Sequence, residues 1–134
     1  MVRTIALIAT LDTKGEEARY LREQIEARGH RVVIVDTGIL GEATISAEIT
    51  RDDVAKASGV ASAAEVGAFG SKQQSLEQMI KGATLIIVEM AASGEIHGIV
   101  GIGGGTGTSM GTAVMGALPL GFPKLMVSTI AAGK

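Results

Sequence analysis

Residues Thr4 to Asp36 read TIALIATLDTKGEEARYLREQIEARGHRVVIVD, and this stretch decides the fold. Its first seven residues, Thr4 to Thr10, are an unbroken apolar run rich in β-branched residues. Such a run suits a parallel strand covered on both faces better than a half-exposed strand, which would alternate. From Lys14 to Arg28, Ala18, Leu21 and Ile25 recur at helical spacing among charges, and Gly29 supplies a stop signal. Arg31 to Asp36 is then a second buried strand. Two buried strands joined by a helix of about fifteen residues make a right-handed βαβ unit.

Working outward, Thr37 to Ser71 is less regular, with glycines at 38, 41, 59, 67 and 70, and is expected to wrap an edge of the sheet. Thr50 followed by Asp53 reads as an N-cap with an acidic first turn, which predicts a short helix from Arg51 to about Ser58. Ser71 to Ser93 is ambiguous. Ala83 to Val88 has strand composition, but Leu76, Ile80, Ala83, Ile87 and Met90 keep helical spacing, and the length favours one long helix. Gly82 inside it would cost about 1 kcal/mol relative to alanine, to be offset by the buried stripe. Ile99 to Ile102 is the third strand, Thr108 to Leu118 the next helix and Lys124 to Thr129 the fourth strand, with Pro119 and Pro123 between elements. The expected architecture is α/β, a Rossmann-like open parallel sheet of about four strands with helices on both faces, in one domain over residues 1–134.

Composition narrows the function. The 134 residues are 46% apolar but only 2% aromatic, and the net charge is −2. An aliphatic core follows, and neither a basic field nor base-stacking platforms are available for nucleic acid. With no cysteine and only His30 and His97, thiolate chemistry, disulfides and histidine metal clusters are not expected. No signal peptide or spanning segment can be read, so the expectation is a cytoplasmic protein without membrane contact.

In an open α/β sheet the ligand binds outside the carboxyl ends of the strands. All four predicted strands end in small or polar residues: Thr10, Asp12, Thr13 and Lys14 after the first, Asp36 after the second, Gly103 to Thr108 after the third, Ser128 and Thr129 after the fourth. The run Gly101 to Ser109, GIGGGTGTS, passes from strand to helix, and five of its nine residues are glycine. Its backbone can approach a ligand closely and aim successive amides at an anion, helped by the helix N-terminus. Gly103, Gly104, Gly105, Thr106, Gly107 and Thr108 are therefore candidate phosphate-binding residues; the alternative is a tight turn that packs helix on sheet. No Gly-Lys-Ser/Thr follows, so this is not a P-loop. Lys14 near a helix N-terminus is unfavourable in dipole terms and points to a ligand phosphate, whereas Asp12 or Thr13 could simply cap that helix. Asp36 reads equally as a ribose acceptor or as an Asx-turn leading into Gly38. His97 lies before the third strand, on the opposite edge, and the methionines at 79, 90, 110, 115 and 126 fall on predicted core faces.

Taken together, IALIATLDTKGEE, VDTGILG, GIGGGTGT and PLGFPKLMVST resemble the Tm-one-type ATP-binding domain family, named after a plant tobamovirus-resistance protein, over essentially the whole chain. The resemblance implies a Rossmann-like domain binding ATP, with or without magnesium, on Thr10, Asp12, Thr13 and Lys14, on Gly103 to Thr108, and on Ser128 and Thr129. It also implies the N-terminal part of a longer protein. The leading expectation is thus a nucleotide-binding module whose partners are a nucleotide and either a second copy or the remainder of a longer chain. Two alternatives stand beside it: an enzyme domain acting on a phosphorylated or carboxylated small molecule through the same anion site, and an assembly domain using exposed sheet edges and apolar faces.

Overall fold

Four parallel strands form the centre of the computed structural model, which describes residues 1–129. The elements run β1 (Thr4–Ala9), α1 (Leu11–Ala27), β2 (Arg31–Asp36), α2 (Arg51–Ala57), α3 (Ala63–Gly67), α4 (Lys72–Ala92), β3 (Gly98–Gly103), α5 (Gly105–Met115) and β4 (Lys124–Ser128). The strand order is β2-β1-β3-β4, with Ala9 opposite Asp36, Ile8 opposite Gly101 and Gly103 opposite Ser128. The chain leaves β1 for one side and later returns to the other, so the strand order reverses between β1 and β3.

The uninterrupted apolar run of β1 has its physical reason in the layering. Side chains alternate across a strand. Ala6 and Ile8 therefore enter one core with Val54 of α2, Met79, Ala83 and Ile87 of α4 and Met110 and Val114 of α5. Leu7 and Ala9 enter the other with Ile34 of β2 and Ala18, Leu21 and Ile25 of α1. Helices cover both faces, and the open α/β arrangement expected from sequence is present.

Residues 83–88 are helical, as their length and spacing require, inside the 21-residue α4. Gly82 has a different role from the one expected. A Cβ placed there would stand 2.0 Å from the Val54 carbonyl oxygen, so α4 crosses α2 at a distance only glycine permits. Thr50 caps α2 as expected, and Asp53 completes a reciprocal capping box, with the Asp53 amide bonded to Thr50 Oγ1 at 3.2 Å and the Thr50 amide to Asp53 Oδ2 at 2.9 Å. The irregular segment before it does wrap the sheet edge: Ile49 bridges Val35, accepting from the Asp36 amide and donating to the Ile34 carbonyl at 3.0 Å each. The five-residue α3, capped by Ser62, has no apolar period long enough to be read from sequence.

Beside that edge the Glu48 carboxylate accepts from the Ile34 amide at 2.8 Å and from Arg22 of α1. Partial burial pushes the Glu48 carboxyl up, but the Ile34 amide and the Arg22 guanidinium together outweigh burial and hold it below the ordinary value of 4.5. At the opposite end of the sheet, His30 Nδ1 accepts from the Arg3 amide and His97 Nδ1 from the Thr4 amide, both at 3.0 Å. The two histidines fasten the start of β1 to its neighbours, far from the carboxyl ends of the strands.

Candidate functional site

The glycine run is divided among three structural states. Gly101 and Gly103 belong to β3, Gly104 alone forms the junction, and Gly105 to Gly107 are the first turn of α5, which begins three residues earlier than Thr108, where sequence spacing placed it. The Thr108 amide closes the first helical bond onto the Gly104 carbonyl at 2.9 Å. The turn is tight because Gly103 lacks a side chain: a Cβ there would lie 2.6 Å from the Gly107 Cα. The early start has a plain cause, since glycine's low helix propensity hides a helix whose first turn is set by the strand before it.

On the neighbouring strand, α1 starts at Leu11 with Thr10 in the N-cap position. Thr10 makes no cap bond; its hydroxyl pairs with that of Thr13 at 2.8 Å. Asp36 replaces the cap from the next strand, accepting from the Leu11 amide at 3.1 Å. The opening turn bends at Lys14, whose backbone (φ −123°, ψ 21°) is not helical.

These two helix starts face each other across the point where strand order reverses, and between them lies a cavity of about 250 Å³. Thr10, Asp12, Thr13 and Lys14 line it from the β1 side, and Gly104, Gly105, Thr106 and Gly107 from the β3 side. Eight of the thirteen residues singled out in the sequence therefore meet at one place. Thr37, Ile39 and Leu40 after β2, Lys72 and Leu76 of α4 and Met110 of α5 complete the wall, and sequence reasoning had assigned none of them to a site. Met110 and Leu76 carry a double role, since both also pack on the α2–α4–α5 core.

Five expected residues lie elsewhere. The buried carboxylate of Asp36 is spent on the protein: Oδ1 accepts from the Leu11 and Gly38 amides, the latter at 2.8 Å, and Oδ2 accepts from Arg51 Nε at 3.0 Å. This is the Asx-turn reading with two further bonds. Gly103 is a buried strand residue whose carbonyl accepts from the Thr129 amide at 3.0 Å. Thr108 pairs its hydroxyl with that of Ser128 at 2.8 Å, so Thr108, Ser128 and Thr129 tie α5 and β4 to the end of β3 and do not face the cavity.

Asp12 lines the cavity, yet its Oδ2 accepts from the Leu40 and Gly41 amides at 3.0 and 3.1 Å and lies 3.9 Å from Arg51 Nη2. It pins the segment after β2 over the site. Lys14 and Lys72 both line the cavity and form no ion pair among the described residues, and they belong to the first turns of α1 and α4, with the first turn of α5 also in the wall. Among the described residues no group of histidine, aspartate and glutamate is arranged to hold a metal ion, and no helix is long and apolar enough to cross a membrane.

Fold and site together define a four-stranded parallel α/β domain with a cationic cavity at its topological switch point. The chain belongs to the family described as "Uncharacterised protein family (UPF0261) N-terminal domain", whose model matches residues 3–134. It is 36% identical to a UPF0261 protein of Clostridium tetani over 133 residues, covering 99% of this chain and 33% of that protein. A UPF0261 protein of Rhizobium meliloti is 39% identical over 132 residues, covering 98% of this chain and 32% of that protein. More distantly, the ToMV susceptible protein tm-1(GCR26) of Solanum lycopersicum is 26% identical over 141 residues, 95% of this chain and 19% of that protein. The plant resemblance is thus a distant relationship, and the family is UPF0261. The chain spans about a third of the length of the bacterial relatives it matches.

Proposed function

We propose that this domain binds a nucleotide, with ATP the leading candidate, its phosphates lying between the Gly104–Gly107 turn and the Thr10–Lys14 turn. The observation that carries the reading is the cavity itself: two helix N-termini and the uncompensated Lys14 converge where strand order reverses, the place at which open α/β sheets take ligands. The apolar part of the wall, Ile39, Leu40, Leu76 and Met110, suits a base held by aliphatic contact, in keeping with a chain almost without aromatics. Binding, not catalysis, is the function supported. Among the described residues Asp12 is the one carboxylate lining the cavity, it already bonds two amides, and no nucleophile–base pair accompanies it. Ribose recognition by Asp36 is no part of this proposal, because both of its oxygens are engaged within the protein.

Titration calorimetry with ATP and ADP, with and without magnesium, tests the reading. Saturable binding with one site per chain is expected, and no heat at millimolar nucleotide under either condition would refute it. A second reading, assembly with another copy or with the rest of a longer chain, is favoured by one observation. Leu125 and Val127 of the edge strand β4 are exposed, Leu125 to 62%, with no helix over them among the described residues. Light scattering tests it, and a strict monomer counts against self-assembly.

A further inference from the structure

Lys72 is the second lysine lining the cavity that forms no ion pair among the described residues, and it comes from α4, an element that contributes to neither the glycine turn nor the turn after β1. It is the first residue of α4, immediately after Ser71, whose hydroxyl caps the helix by accepting from the Gln74 amide at 3.2 Å. Lys14 from the start of α1 and Lys72 from the start of α4 thus both line the cavity, with the N-terminal turn of α5. Among the described residues the only carboxylate in the lining, Asp12, is already bonded to two amides and shared with Arg51. Like charges in one partly enclosed space repel, and the helix ends add to the same sign. A ligand with a single phosphate can neutralise one part of that lining. Linked phosphates extend the negative charge from one cation to the other.

We infer that Lys72 is a specificity residue of this cavity. Its ammonium binds the outer phosphate of a di- or triphosphate whose inner phosphate lies on the Gly104–Gly107 turn, so the site favours linked phosphates over a single one. The inference rests on the anion-binding reading above and goes beyond it by naming the charge pattern selected and the residue that selects it. Lys72 is exposed on the first turn of α4, so its replacement is expected to leave the fold intact, as circular dichroism would report.

Calorimetry on the full chain with orthophosphate, tripolyphosphate, AMP and ATP provides the test, comparing the unaltered protein with Lys72→Gln and Lys72→Arg. Tripolyphosphate and ATP are expected to bind more tightly than orthophosphate and AMP. Lys72→Gln is expected to weaken ATP and tripolyphosphate about tenfold and AMP by less than about threefold, with Lys72→Arg keeping most of the affinity for ATP. Equal weakening of AMP and ATP, no weakening of ATP, or no binding of tripolyphosphate to the unaltered protein would each overturn it. The two proposals fail separately. ATP binding that is indifferent to Lys72→Gln refutes the role of Lys72 and leaves nucleotide binding standing. Lys72-dependent binding of tripolyphosphate without any nucleotide binding supports the role of Lys72 and removes the nucleotide.

Discussion

Asp36 Oδ2 accepts from Arg51 Nε at 3.0 Å, joining the end of β2 to the first turn of α2 through a carboxylate that is 2% exposed. The same carboxylate caps α1 through the Leu11 amide, so one side chain holds three elements in place around the cavity. Removing the Asp36 carboxylate leaves the Leu11 amide without this partner and Arg51 with the more distant Asp12 at 3.9 Å. Asp36→Ala is expected to cost about 3–5 kcal/mol in urea unfolding, whereas Arg19→Ala, which breaks the exposed Arg19–Glu23 pair of α1, is expected to cost under about 1 kcal/mol. Similar losses for the two variants would contradict the assigned role.

Gly82→Ala separates helix propensity from packing. By propensity the change would stabilise α4 by about 1 kcal/mol. The new methyl group, however, would stand 2.0 Å from the Val54 carbonyl oxygen, which is backbone and cannot swing aside. A net loss of about 1–3 kcal/mol is therefore expected, with α2 and α4 forced apart. A rise in melting temperature would show that the two helices do not approach so closely.

Within the cavity, Gly104 offers a clean probe. Among the described residues, a Cβ there would meet the Thr129 hydroxyl at 3.7 Å, an ordinary van der Waals distance. Gly104→Val is expected to fold, judged by circular dichroism, while weakening ATP by at least about tenfold because the side chain occupies the ligand's approach to the turn. Unchanged affinity would move the site away from the β3–α5 junction.

Glu48 sets an expectation for pH. Its folded-state carboxyl lies below the ordinary value of 4.5, so the unfolded chain takes up the proton first. The stabilisation is present above about that value and is lost as pH falls through the depressed folded-state pKa. Urea unfolding from pH 7 down to pH 3 should find Glu48→Gln less stable at neutral pH, with the gap to the unaltered protein closing in acid. A gap that widens in acid would contradict the sign.

Much of the architecture was legible because it is written locally. The unbroken apolar run of β1, the helical spacing through residues 83–88 and the Thr50 N-cap of α2 each depend on residues within a turn or two of one another. The strand-end rule also located the cavity, since Thr10–Lys14 and Gly104–Gly107 meet there. The start of α5 was misread because three glycines and a threonine look like loop, whereas Gly103 lets that turn fold directly onto the end of β3.

What the sequence determined by itself was the alternation of strand and helix, the two-sided burial of the sheet and the edge on which small polar residues collect. All three follow from periodicity and from the conformations that single residues allow. The tertiary structure decided which of those polar residues share a space. It turned Asp36 inward as cap and counter-ion, bound Thr108 to Ser128, and brought Lys72 to Lys14 from 58 positions along the chain. The physical reason is that a side chain's partners are set by strand order and helix placement, and no local pattern around Lys72 or Asp36 records what stands opposite.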